Sequence, residues 1–211
     1  MNLYNNPNNH KETILDEKGF IKYEDMIQKK FISLESYLKE FIKFKIEEEI
    51  NFEWSTKTYG NYGFYYRLED DNTRVTKISE AGIMTVCRGN LPLKKGNKYK
   101  LEYFINYIKG DFDVGFGAEE AGKKCWLGDG YAYCISSNGI YENAMHNSNI
   151  NLLNAKKITF IIDLNQDNVD IFLDEQKMYN FKIRGDLIYY PMVAMREVNN
   201  SAKLKLTQLI S

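Results

Sequence analysis

The sequence predicts an all-β protein: a two-sheet antiparallel sandwich preceded by one amphipathic α-helix. Three observations carry this. From Asn51 onward apolar residues recur with period two, the mark of strands with two different faces. Clusters of Asn, Asp and Gly interrupt that pattern at short intervals, where turns need them. No helical segments alternate with the strand-like runs, as a parallel α/β sheet would require.

The elements follow in chain order. Residues 1–22 are Asn-rich and polar, with Pro7, and read as an extended or disordered arm. They lack the apolar core of a signal peptide. Residues 23–50 read as the helix. Ile27, Phe31, Leu34, Leu38 and Phe41 recur at spacings of four and three, which places them on one face. Glu24 and Asp25 fall in the first turn, where the helix dipole favours acids. The seam fails at Lys45 and Glu48, too soon for a coiled coil. Two readings stay open for it: a helix packed on its own domain, or a docking or dimerising helix.

Residues 51–211 read as the sandwich. Tyr99, Leu101, Tyr103, Ile105 and Tyr107 alternate with Lys98, Lys100, Glu102, Phe104 and Asn106. Gly110-Asp111 turns the chain into Phe112–Gly117. Further runs follow at Ala132–Ser136, Ile158–Leu164, Val169–Leu173, Tyr179–Ile183, Met192–Arg196 and Leu204–Leu209. Earlier ones lie at Tyr62–Leu68, Arg74–Ile78 and Ile83–Cys87. Roughly ten to thirteen short strands is the count expected of an all-β sandwich.

Composition narrows the function. The 211 residues carry 28 basic and 29 acidic side chains, a net charge of -1, so no cationic surplus exists to grip a phosphate backbone. Nucleic acid is therefore not expected as a partner. No apolar run is long enough to cross a bilayer. Cys87, Cys125 and Cys134 are odd in number, and without a secretory signal they read as free thiols in a reducing, intracellular and cytoplasmic setting. His10 and His146 are too few and too isolated for a metal set, and no cofactor is expected.

The later motifs resemble the SPRY (B30.2-like) family. Gly96-Asn97-Lys98-Tyr99 and the run to Ile105 look like its long strand after a glycine turn. Asp113-Val114-Gly115-Phe116-Gly117 resembles its glycine-bearing strand. Gly130-Tyr131-Ala132-Tyr133 followed by Ser137-Asn138-Gly139 looks like the next segment. Ile158–Leu164 with Val169–Leu173 resembles its late hairpin, and Ile188-Tyr189-Tyr190-Pro191-Met192-Val193-Ala194 its proline-bearing strand. The order matches from Gly96 to Leu209. Asn165–Asn168 replace glycine at the hairpin turn, and 143–154 is a polar insertion. The resemblance implies a jelly-roll-like (concanavalin A-like) sandwich that binds peptides or protein surfaces through loops. It implies no catalysis, and no ligase cysteine pattern is present.

Candidate contact residues are Tyr62 and Tyr65, from the cluster Tyr59, Tyr62, Phe64, Tyr65 and Tyr66 broken by Gly60, Asn61 and Gly63. The competing reading sends Phe64 and Tyr66 into the core. Trp126 and Tyr131 flank a glycine-rich loop and are either anchors or sandwich closures. Arg88 and Arg196 either offer charge to an acidic partner or are simply solvated, the preferred reading for a lone arginine. Asp111, Asp113, Glu119 and Glu120 read as solvated turn residues rather than a glycosidase pair. Asp163 and Asp170 are expected to brace the late hairpin, and Cys125 and Cys134 to be buried or half-buried. The function expected is a non-catalytic protein–protein interaction module. The alternative is a structural subunit of a large assembly anchored through arm and helix. A glycan-binding jelly roll and a hydrolase stand further back.

Overall fold

A strand buries its backbone polar groups only by pairing with neighbours, so period-two segments collect into sheets. The computed structural model describes residues 27–36, 47–55, 65–79, 84–123, 127, 131–142, 145–148 and 155–210. The backbone divides into two units, Met1–Lys45 and Ile46–Ser211. In the first, residues 27–36 form a helix, α1, and its seam residues Ile27, Phe31 and Leu34 are exposed. The arm over 1–22, with Leu38 and Phe41, lies outside the described residues.

The helix expected through Ile50 is corrected at its end. Glu47–Glu49 is a strand, β1, paired antiparallel with Thr207–Leu209. The second unit thus begins before the expected boundary at Asn51. Helix propensity is a weak local preference, and a partner strand from the far end of the chain overrides it.

Two antiparallel sheets make the sandwich. Sheet A runs β13 (Gln176–Lys182), β12 (Asn168–Leu173), β11 (Lys157–Asp163), β6 (Lys98–Tyr107), β15 (Ser201–Leu209), β4 (Arg74–Lys77) and β3 (Tyr66–Glu69), with β1 beside the end of β15. Sheet B runs β10 (Met145–Ser148), β9 (Gly139–Glu142), β8 (Ala132–Ser136), β7 (Phe112–Ala118), β14 (Tyr189–Met195), β5 (Thr85–Gly89) and β2 (Trp54–Ser55).

The predicted alternation along β6 buries Tyr99, Leu101 and Tyr103. It lapses at exposed Tyr107, beyond a register shift between Ser201 and Ala202. Between the sheets the filling is aromatic. Phe116 stacks on Tyr133 at 5.4 Å and meets Phe160 and Tyr189 edge-on at 5.8 and 5.4 Å. Rings of this size account for much of the burial that holds two sheets together. Tyr66 belongs to this core, as its alternation suggested, and its hydroxyl donates to the Thr85 carbonyl. The late hairpin turns as expected: Asp163 Oδ1 accepts the amides of Asn165 and Gln166 at 3.0 and 3.1 Å. The left-handed residue there is Asp167, φ 51°. Asp170 instead braces the next strand, accepting from Asn180 and pairing with Lys177.

A second apolar cluster lies on the other side of sheet B. Its strands offer Val86, Met192, Ala194, Ala132 and Cys134, and it is covered by Ala121 of a short 3-10 helix (Glu119–Lys123) and by Leu127. Gly117 lets that cover approach: a Cβ there would sit 2.9 Å from Ala121 Cβ. No helix among the described residues is long and apolar enough to cross a membrane.

Candidate functional site

Along β5, Cys87 joins the core between the sheets, whereas Val86 joins the outer cluster. Arg88, two residues on, therefore shares the outer face with Val86. Its guanidinium lies 4.0 Å from the centroid of the Tyr190 ring, an intramolecular cation–π contact. Tyr131 stands immediately before β8, and its carbonyl accepts the Ala118 amide at 2.8 Å. Strands β14 and β7 separate β5 from β8, so Arg88 and Tyr131 are not neighbours. Tyr65 lies elsewhere again, beside β3 in sheet A. Its carbonyl accepts the Ile78 amide at 2.8 Å, and Lys77 Nζ sits 4.7 Å over its ring. Tyr62 and Trp126 lie outside the described residues.

Of the three described candidates, Tyr131 has the geometry of a contact residue. It is exposed, and its backbone is left-handed with φ 59°, an uncommon state for a bulky side chain. Ala118, its hydrogen-bond partner, is paired across β7 with Tyr189, so Ile188 comes to the same end of the sandwich. Ile188 is 63% exposed. Arg184 joins them: its amide donates to Tyr133 Oη at 3.2 Å, and its carbonyl accepts from Tyr189 Oη at 2.7 Å. The Arg184 side chain pairs with Asp186 at 2.8 Å. That pair holds the Asp186 carboxyl below its usual range and the guanidinium above its own. Among the described residues the end therefore presents an aromatic, an aliphatic and an ion pair on a backbone fixed from below. Sequence reasoning missed Ile188 because it heads the run read as the proline-bearing strand, where an isoleucine reads as core, whereas the strand starts at Tyr189.

Two further readings are corrected. Asp113 is not a solvated turn residue but 1% exposed, sealed in sheet B with its Oδ2 accepting the Leu127 amide at 3.3 Å. Burial pushes its carboxyl up to about 7, against hydrogen bonds from Ser136 and Leu127 that pull it down. Arg196 pairs within the chain, 2.6 Å from Asp111. The acidic quartet thus splits: Asp113 is closed to any substrate, Asp111 is neutralised, and Glu119 and Glu120 are exposed on the 3-10 helix. Among the described residues no group of three His, Cys, Asp or Glu side chains is placed to hold a metal. Cys87 and Cys134 are buried free thiols, and burial pushes Cys87 up to about 12.

No family model matches the sequence, and no curated protein does. The fold is similar to solved structures. The TRIM65 PSpry domain aligns with a TM-score of 0.59 at 10% identity, over 74% of this chain and 89% of that one. The SPRY domain of human HERC1 aligns with a TM-score of 0.49 at 13% identity, over 69% of this chain and 92% of that one. With its two antiparallel sheets and the strand order given above, the chain carries a SPRY-type β-sandwich.

Proposed function

We propose that this chain is a non-catalytic protein-interaction module that takes a peptide or protein surface at the end of the sandwich carrying Tyr131 and Ile188. One observation carries the reading: a tyrosine held left-handed and exposed, beside an exposed isoleucine and an ion pair, on strands locked by the aromatic core. Rigid aromatic and aliphatic anchors make contact area at little entropic cost, which is what a recognition surface needs. The fold likeness to the TRIM65 PSpry domain supports it, since the SPRY resemblance implies binding rather than chemistry. Buried free thiols favour a reducing, intracellular setting.

The test is affinity capture from native cell extract with the full chain, beside Tyr131→Gly and Ile188→Ser variants. A discrete partner held by the parent and lost by both variants supports the reading. A partner retained by both refutes it.

A second reading has its own observation. Phe31 of α1 is 71% exposed, with Ile27 and Leu34 on the same seam, as a subunit anchored through its helix would show. Phe31→Glu would then release the partner that Tyr131→Gly leaves bound.

A further inference from the structure

Sheet A opens beside β15. At one end of that strand β4 covers Ser201–Lys203, and at the other β1 covers Thr207–Leu209. Between them lies a cleft of about 640 Å³. We propose that this cleft binds a neutral, polyhydroxylated ligand, a short oligosaccharide. The inference is independent of the Tyr131 end.

Phe104, 37% exposed, lines the cleft opposite Lys203 in the β6–β15 register. An exposed ring offers an apolar face to the C–H side of a sugar. The walls carry charges of both signs, most of them paired: Lys203 Nζ lies 3.3 Å from Asp70, which also takes Arg74 at 2.9 Å, and Lys205 Nζ lies 3.0 Å from Glu49. An anion would have to draw a lysine away from its carboxylate, and a cation finds Asp71 outside these pairs, an exposed charge that alone contributes little. A hydroxyl donates and accepts at once, so it can bridge an ammonium and a carboxylate without parting them. An apolar ligand would desolvate the same groups without replacing their hydrogen bonds.

Asp71 enters neither pair and lines the cleft with Asn51, which supplies both amide donors and an acceptor. Asp71 is also held in place. Asp70, Asp71 and Asn72 are left-handed in succession, with φ 52°, 53° and 63°. Three such residues in a row are strained, and persist where the surroundings over-determine them. Here the surroundings are Thr73, whose amide and hydroxyl donate to the Asp70 carbonyl at 3.0 and 2.6 Å, and Trp54. Trp54 is 2% exposed and donates its amide to the Asn72 carbonyl at 2.8 Å and Nε1 to the Thr73 carbonyl at 2.9 Å. A buried tryptophan thus fixes the turn that presents Asp71, which lowers the ordering cost of binding.

Saturation-transfer NMR on the full chain tests this, using maltotriose, cellotriose, mannotriose and N-acetylchitotriose at millimolar concentration. The expected result is transfer to at least one trisaccharide. It falls roughly fivefold or more in Phe104→Ala and in Asp71→Asn, a loss in the range of single ring or hydrogen-bond contacts. It is unchanged in Tyr131→Gly and persists at high salt, because the ligand is neutral. Should Phe104→Ala lose its folded circular dichroism, exposed Asp71→Asn decides alone. Transfer to none of the four, or transfer untouched by Asp71→Asn, overturns the proposal. So does a charged peptide that binds in the cleft and is released by salt.

Discussion

Asp113 and Leu127 are both sealed from solvent on the outer side of sheet B, joined by the bond from the Leu127 amide to Asp113 Oδ2. The other carboxyl oxygen, Oδ1, has no hydrogen-bond partner among the described residues. Asp111, Cys134, Tyr141 and Tyr66 all share its surroundings electrostatically. The folded carboxyl titrates near 7 rather than at the 3.8 of an unfolded Asp, so the native state binds the proton more tightly. Its contribution to stability is fullest below about pH 4 and is lost as pH rises to about 7. Asp113→Asn should remove that slope. In denaturant titrations the variant should gain on the parent by up to a few kcal/mol between pH 4 and 7, and no further above. A constant difference across that window would mean the carboxyl is hydrated.

Lys77 is the mirror case. Its ammonium is fully buried, bonded to Thr85 Oγ1 and placed 4.7 and 5.1 Å over the Tyr65 and Tyr66 rings. Burial pushes it down to about 8 from 10.5. The unfolded state therefore holds the proton more tightly, and the amine's cost to stability lessens as pH rises from about 8 to 10.5. Lys77→Met keeps the length without the charge. It should be stabilising at pH 7, by as much as ~1–3 kcal/mol, with a smaller advantage at pH 10. Equal denaturation midpoints at both pH values for the variant and parent would count against this.

Gly115 admits no side chain. A Cβ there would lie 2.1 Å from the Tyr133 carbonyl oxygen and 2.7 Å from Cys134 Cα, backbone atoms that cannot swing away. Gly115→Ala should cost roughly 3 kcal/mol or more, since overpacking against a paired strand moves the strand itself. Thermal melting checks it, with a loss under about 1 kcal/mol telling against the geometry.

Tyr131 separates binding from stability. Glycine adopts a φ of 59° without penalty, so Tyr131→Gly should be no less stable than the parent, by about 0–1 kcal/mol. The same variant should lose the captured partner. A thermal melt and a capture run on one preparation report both, and a variant that melts early while keeping its partner would reverse both expectations.

Much of the fold was legible because strand pattern and turn chemistry are local. Period two marked the inner faces of β6, β7 and β11, and the Asp163 side chain closes its turn with amides two and three residues away. The SPRY likeness rested on the order of such local signals. What the sequence could not express is what covers a given face. Asp111 and Asp113 share a face by alternation, yet one meets Arg196 at the surface and the other is sealed beneath Leu127, fourteen residues further on. Glu47–Glu49 has a helical composition and becomes a strand because β15 arrives beside it. Tyr65, Arg88 and Tyr131 look equivalent as loop aromatics and cations, but strand order sets them on different parts of the sandwich. By itself the sequence determined most of the strand segments from β6 onward, the chemistry of their turns, and that no excess charge favours nucleic acid. Only the tertiary structure decided which polar groups are buried and which end gathers Tyr131 with Ile188, because burial depends on neighbours brought from far along the chain.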